Sequence, residues 1–119
     1  MTIQTSVGSP GTVSAASGGR VLAYNNLTTT PQVVLAANAQ RVSFVVHNPG
    51  TIDIFFFPTF VQNTGADVTL VPSTVALGGC FRVFANGGSL AITGECQKEW
   101  QAFSASGSSN PLTIMVSQI

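Results

Sequence analysis

His47 is the only histidine, Cys80 and Cys96 are the only cysteines, and four carboxylates complete the acid–base inventory of the chain. A nucleophilic site would need His47 as its base, with Cys80 or a serine attacking and a carboxylate such as Asp53 orienting the ring. No GxSxG elbow presents a nucleophile in that way. A zinc site would need further ligands around His47, yet the sequence holds no CxxC or HxxxH spacing. Glu95 and Glu99 are the closest carboxylates, but glycoside hydrolysis needs two acids facing one cleft about 5–10 Å apart. Lys98 between them marks a solvated charged loop instead. Gly78-Gly79 and Gly87-Gly88 lack the lysine and the following helix of a phosphate loop. Tyr24 and Trp100 are the residues that would stack on a sugar, although Trp100 alternates with Ala102 into a core position. These residues predict no enzyme, no cofactor and no metal.

Composition narrows the partners. Eight of 119 residues are charged, four of each sign: Arg20, Arg41, Arg82, Lys98, Asp53, Asp67, Glu95 and Glu99. An ordinary chain of this length carries about thirty, roughly 25% of its residues. Serine, threonine, asparagine, glutamine and glycine must therefore cover the surface, and a net charge of zero gives little repulsion between copies. Four scattered cations make no basic stripe for phosphates, so nucleic acid is not an expected partner. No apolar run approaches the ~20 residues that span a membrane, and no membrane association is expected. The first residues form neither a basic nor an apolar signal region, so no cleaved secretory signal is expected. Asn26-Leu27-Thr28 fits a glycosylation sequon that nothing else supports. Cys80 and Cys96 flank a predicted hairpin and form either one disulfide or, the favoured reading, two reduced and partly buried thiols.

The elements that position these residues are short. Residues 1–20 form an uncharged arm up to Arg20, rich in threonine, serine, glycine and alanine. Fixing such a segment costs about 1–2 kcal/mol per residue in backbone entropy, and it has few large side chains to bury in return. Laid along a neighbour it would recover backbone hydrogen bonds, with Thr2, Ile3, Thr5, Val7, Thr12 and Val13 as its contacts. Residues 21–119 read as one domain of about eight strands: Gln32–Ala36, Arg41–Asn48, Asp53–Phe57, Val68–Val71, Cys80–Phe84, Ser89–Thr93, Glu99–Ser104 and Leu112–Ser117. Asn48-Pro49-Gly50 is a turn, Pro58 ends its strand, and Asn86-Gly87-Gly88 is the strongest hairpin signal. No stretch keeps a helical period for three turns. The pattern predicts an all-β, antiparallel sandwich, jelly-roll-like, or a small barrel.

Alternation assigns Val33, Leu35, Val42, Phe44, Val46, Ile54, Phe56, Phe81, Val83, Leu90, Ile92, Leu112, Ile114 and Val116 to the core. Arg41, Ser43 and His47 then face outward. The same alternation leaves Val34, Val45, Phe55, Phe57, Phe84, Phe103 and Met115 on the opposite faces, where clustered apolar residues mark an interface. Ile54-Phe55-Phe56-Phe57 is large and apolar on both sides. Either a partner covers its second face or a long loop of the same chain does.

Taken together, the low-complexity arm and Arg41-Val42-Ser43-Phe44-Val45-Val46-His47-Asn48-Pro49-Gly50 resemble small virion structural proteins of tailed bacteriophages. The aromatic strand Asp53–Phe57, the Val71-Pro72…Leu77-Gly78-Gly79 approach, Trp100-Gln101-Ala102 and the final Leu112–Val116 strand extend the likeness over residues 31–119. The resemblance is closest to capsid decoration or cement proteins and to the bases of head fibres. It implies a non-enzymatic chain located in the virion after assembly in the host cytoplasm. It further implies a major capsid protein or other virion protein as partner, and a homo-oligomer, trimer or dimer. The alternative it leaves is a carbohydrate- or receptor-binding module of a fibre or tail, with Tyr24 and the Asn/Gln-rich loops as contacts.

Overall fold

The computed structural model describes residues 18–73 and 78–119. Those residues contain ten strands and no helix. They are β1 (Arg20–Leu27), β2 (Gln32–Leu35), β3 (Arg41–Asn48), β4 (Ile54–Pro58), β5 (Gln62–Asn63), β6 (Ala66–Asp67), β7 (Phe81–Val83), β8 (Gly88–Ile92), β9 (Trp100–Ser104) and β10 (Asn110–Gln118). One sheet has the order β1-β10-β3-β8 and the other β2-β9-β4-β7, with β5 and β6 forming a separate small hairpin. Every pairing is antiparallel. The pairs nest: β4 with β7, β3 with β8, β2 with β9 and β1 with β10. The chain is thus one long hairpin folded over on itself and closed by the β10–β3 and β9–β4 contacts. That is the double-sheet winding of a jelly roll.

The sheets bury their facing sides on each other. Phe44 of the first sheet meets Phe56 and Trp100 of the second edge-on, at 5.6 and 5.4 Å between ring centroids. Phe56 and Trp100 stack at 4.9 Å. Such contacts add about 0.5–1.5 kcal/mol each beyond the area they bury. Leu112, Ile114, Val116, Val46, Ile54, Val83 and Ala102 fill the rest of this layer.

Both turns read from the sequence carry the chain between sheets. Asn48-Pro49-Gly50 takes β3 of the first sheet into β4 of the second, and Asn86-Gly87-Gly88 takes β7 back into β8. The second turn is therefore a corner and not the expected hairpin. Asn86 and Gly87 do take the positive φ expected of them, 62° and 102°. The two corners are tied together, with the Asn86 and Gly87 amides donating to the carbonyls of Gly50 and Asn48 at 2.7 and 2.8 Å.

Other expectations need correction. β1 is a strand that the turn and alternation signals do not predict. Val68–Val71 is not one, since that segment crosses the outside of the second sheet after the β5–β6 hairpin. Val34 lies in the core and Val33 outside, because the register with β9 slips between Val33 and Leu35. The bulge turns two successive side chains, Val34 and Leu35, inward. The Val34 carbonyl accepts the Tyr24 hydroxyl at 2.6 Å. A second bulge, opposite Ser117 and Gln118, exposes Val42 and buries Arg41. The Arg41 guanidinium donates to the carbonyls of Cys96, Ala36 and Lys98. Phe81 is on the inward side of edge strand β7 yet stays exposed, and Leu90 and Ile92 on edge strand β8 are half-buried.

Candidate functional site

The side chains with chemical potential are dispersed over the sandwich. His47 lies on the outer side of the first sheet, where its Nδ1 is 3.1 Å from the hydroxyl of its cross-strand neighbour Ser89. Cys80 packs at the outer side of the second sheet, so His47 and Cys80 are on opposite faces. Cys96 is buried, its Sγ 3.5 Å from the Arg41 carbonyl, and both cysteines are free. Asp53 is engaged by Arg82 and by the Ala85 amide, whose N–H donates at 2.8 Å. That amide, and then Arg82, hold the Asp53 carboxyl below its ordinary range. Glu99 accepts a hydrogen bond from the Thr59 hydroxyl, while Glu95 adopts a positive φ in a tight turn and its carbonyl accepts the Trp100 indole N–H. Trp100 is in the core, and the Tyr24 ring packs part-buried against that core with its hydroxyl held by the β2 bulge. No group of three or more His, Cys, Asp or Glu side chains converges among the described residues, and no helix among them could span a membrane.

What the fold presents instead is surface. The seven candidate interface residues of residues 21–119 separate into three places. Val34, Phe57 and Phe103 are buried within the chain and leave the candidate surface. For Phe57 and Phe103 the cover is the segment after β4: Leu70 completes a second small core with them, flanked by Val61, Val68, Phe55 and Cys80. The long-loop explanation of the aromatic strand is the one the fold adopts for these two residues. Thr2, Ile3, Thr5, Val7, Thr12 and Val13 lie outside the described residues.

Phe55 and Phe84 form the second place, on the outer side of β4 and just beyond β7. Phe84 is 60% exposed. The Arg82 guanidinium lies 5.0 Å from the Phe84 ring centre and 5.8 Å from that of Phe55, with Asp53 fixing its orientation. Aromatic rings around an arginine are the residue types enriched where proteins meet. Around the end of the same edge, Phe60 and Phe81 border open apolar depressions.

Val45 and Met115 belong to the third place, the outer side of the first sheet. The strand register puts Val21 opposite Met115, Met115 opposite Val45, and Val45 opposite Ala91. One apolar row therefore crosses all four strands, with Val21 62% and Met115 53% exposed. The next row, Ala23, Thr113, His47 and Ser89, holds one imidazole and no carboxylate, ammonium or guanidinium. None of the eight charged residues points outward from this sheet, since Arg20 and Arg41 fall on its inward side. Val21 and Ala91 were missed as candidates. The alternation of Leu22 and Tyr24 against Val21 and Ala23 is the signal that would have revealed β1 and with it Val21.

Comparison with protein-family models, with curated proteins and with solved structures finds no match to this chain.

Proposed function

We propose that this chain is a non-enzymatic virion structural protein that binds and stabilises a capsid shell, in the manner of a decoration or cement protein. The observation that carries the reading is the uncharged, apolar-striped outer face of a four-stranded sheet. Such a face gains by meeting another protein and has little to offer a charged ligand. Two features support it. The Phe55–Arg82–Phe84 patch supplies a second contact of interface composition. The uncharged arm leads directly into edge strand β1, so an arm laid on a neighbour would be anchored by a strand of the sandwich. Bridging adjacent capsid subunits would spread the internal pressure of packaged DNA over more than one contact.

The test is co-sedimentation with shells assembled from the cognate major capsid protein. The full chain pellets with shells, and deletion of residues 2–19 weakens binding by about tenfold or more, 1.4 kcal/mol. The deletion stops short of Arg20, so β1 and the fold remain. Equal binding by the shortened chain overturns the role of the arm, and no binding by the full chain overturns the function.

A further inference from the structure

Arg41 is buried, 3% exposed, and the only ion pair among the described residues is that of Arg82 with Asp53. A charge taken out of water is costly unless something opposes it. The bulge in β3 turns Arg41 inward opposite Gln118, and three carbonyls take up its Nε and Nη2. Nη1 carries two further N–H groups, which bond to none of the described residues. It is not sealed in the core, since Ser104 Oγ is the only sealed side-chain polar atom without a partner among those residues. Nη1 therefore opens on a cleft of about 280 Å³ where the two sheets part at the β1–β2 edge, and Arg20 lines the same cleft.

Two of the chain's four cations thus share one cleft, and none of its carboxylates does. Asp53 is held by Arg82 and Glu99 by Thr59, while Asp67 and Glu95 border the depressions around Phe60 and Phe81. Residues 1–17 and 74–77 contain no Asp or Glu. The polar rim adds a donor: Gln118 Oε1 accepts the Asn38 side-chain amide at 2.9 Å, which leaves Gln118 Nε2 to donate. Burial pushes the Arg41 guanidinium below its ordinary range, as it does for a cation with no anion opposite. We propose that this cleft is an anion-binding site that takes the carboxylate of a short organic acid, held between the Arg20 fork and Arg41 Nη1.

The walls select the kind of anion. Leu22, Val34 and Val116 give the cleft an apolar side. Phosphate or sulfate has oxygens in every direction and would press some of them against it. A carboxylate turns both oxygens to N–H groups and its hydrocarbon to the wall, and the Arg20 fork can take it with two parallel bonds. The cleft is at the small end of ligand sites, which run to about 300–1,000 Å³, so the acid is short. A free acid and an aspartate or glutamate side chain of a docked protein offer the same group, and the experiment separates them.

The site stands independently of the assembly reading, and the full chain tests it. Sodium propionate titrated into the isotope-labelled protein at neutral pH should shift the Arg41 Nε–H resonance to saturation, where sodium chloride at equal ionic strength does not. Its five non-hydrogen atoms set a dissociation constant of about 1–10 mM. Inorganic phosphate should bind at least about tenfold more weakly. Arg20→Gln removes the outer guanidinium and should weaken propionate by about tenfold or more. Gln118→Glu keeps the acceptor for Asn38 and gives the cleft its own carboxylate, so it should abolish binding. Arg20 is exposed and Gln118 is at the end of β10, so both variants keep the fold and Arg41, which circular dichroism checks. A response no different from that to chloride, phosphate binding as tight as propionate, or propionate binding indifferent to both variants overturns the proposal. With shells, release of the chain by about 50 mM propionate and not by chloride identifies the acid as a side chain of the shell, and undiminished pelleting identifies a free acid. A chain that binds propionate and never pellets overturns the assembly reading alone.

Discussion

Replacing Asn48 with alanine should cost more stability than any surface change in the molecule. Asn48 is fully buried at the end of β3, where the chain leaves one sheet for the other. Its Nδ2 donates to the carbonyls of Ile52 at 2.8 Å and Val83 at 3.0 Å, and its Oδ1 accepts the Gly50 amide at 3.0 Å. One side chain thus closes its own corner and clamps it to the end of β7. Truncation leaves the buried Val83 carbonyl without this partner, a loss of about 1–3 kcal/mol, while the two part-buried bonds add about 0.5–1.5 kcal/mol each. The sum centres near 4 kcal/mol, a large share of the roughly 5–15 kcal/mol that holds a domain together. Urea unfolding followed by tryptophan fluorescence reads it directly, since Trp100 is in the core. The midpoint should fall while the slope m stays constant, because the surface exposed on unfolding is unchanged. Asn48→Asp should be at least as damaging: it keeps the acceptor for Gly50 but sets a carboxylate against two carbonyls. A loss below about 1 kcal/mol for the alanine variant, or an aspartate variant as stable as wild type, would refute the clamp.

Two further outcomes test other parts of the structure. Leu70→Ala should destabilise by about 2 kcal/mol, the low end for a buried leucine because a loop can settle into the space. It should also raise the binding of an apolar dye by uncovering Phe57 and Phe103, and unchanged dye binding in the folded state would show that the segment is not their cover. Asp53 is held below its ordinary carboxylate range by the Ala85 amide and Arg82, so the folded chain binds its proton less readily than the unfolded chain does. The stabilisation is complete above the ordinary aspartate range and is lost as the pH falls through the folded value. Asp53→Asn should accordingly flatten the acid limb of the stability curve, and an acid limb identical to that of wild type would count against the contact.

The class of fold was legible because turn chemistry and alternation agree over most of the domain. Asn48-Pro49-Gly50, Pro58 and Asn86-Gly87 all end elements where their backbone preferences say they should. The expected number of main strands was also right, but through two opposite errors. Val68–Val71 is apolar enough to read as a strand, yet it covers Phe57 and Phe103 instead of joining a sheet. β1 has a short alternating stretch followed by two asparagines, which reads as loop although β10 pairs along it. Pairing partners lie far apart in the chain, so turn signals could place a corner at Asn86 without revealing that it changes sheets.

Side-chain direction was the weaker half of the reading, and the cause is parity. One extra residue in a strand exchanges its faces, and two bulges here do so at Val34 and Val42. Each is stabilised by hydrogen bonds the strand's own pattern does not show: the Tyr24 hydroxyl caps the carbonyl freed at Val34, and Arg41, next to Val42, turns inward to the carbonyls of Ala36, Cys96 and Lys98. Local alternation contains no trace of these contacts. Val45 and Met115 escaped this error because their strands run in unbroken register from Ser43 to His47 and from Thr113 to Ser117. The same continuity aligns Val21 and Ala91 with them across the sheet. The apolar row is consequently a property of paired register and not of any one strand. A bulge anywhere in its middle would have scattered it over both faces. An outer face whose central row keeps its register and is free of charge, in a sheet whose β1 and β3 each carry a bulge outside that row, is the feature that any account of this protein's partners has to explain.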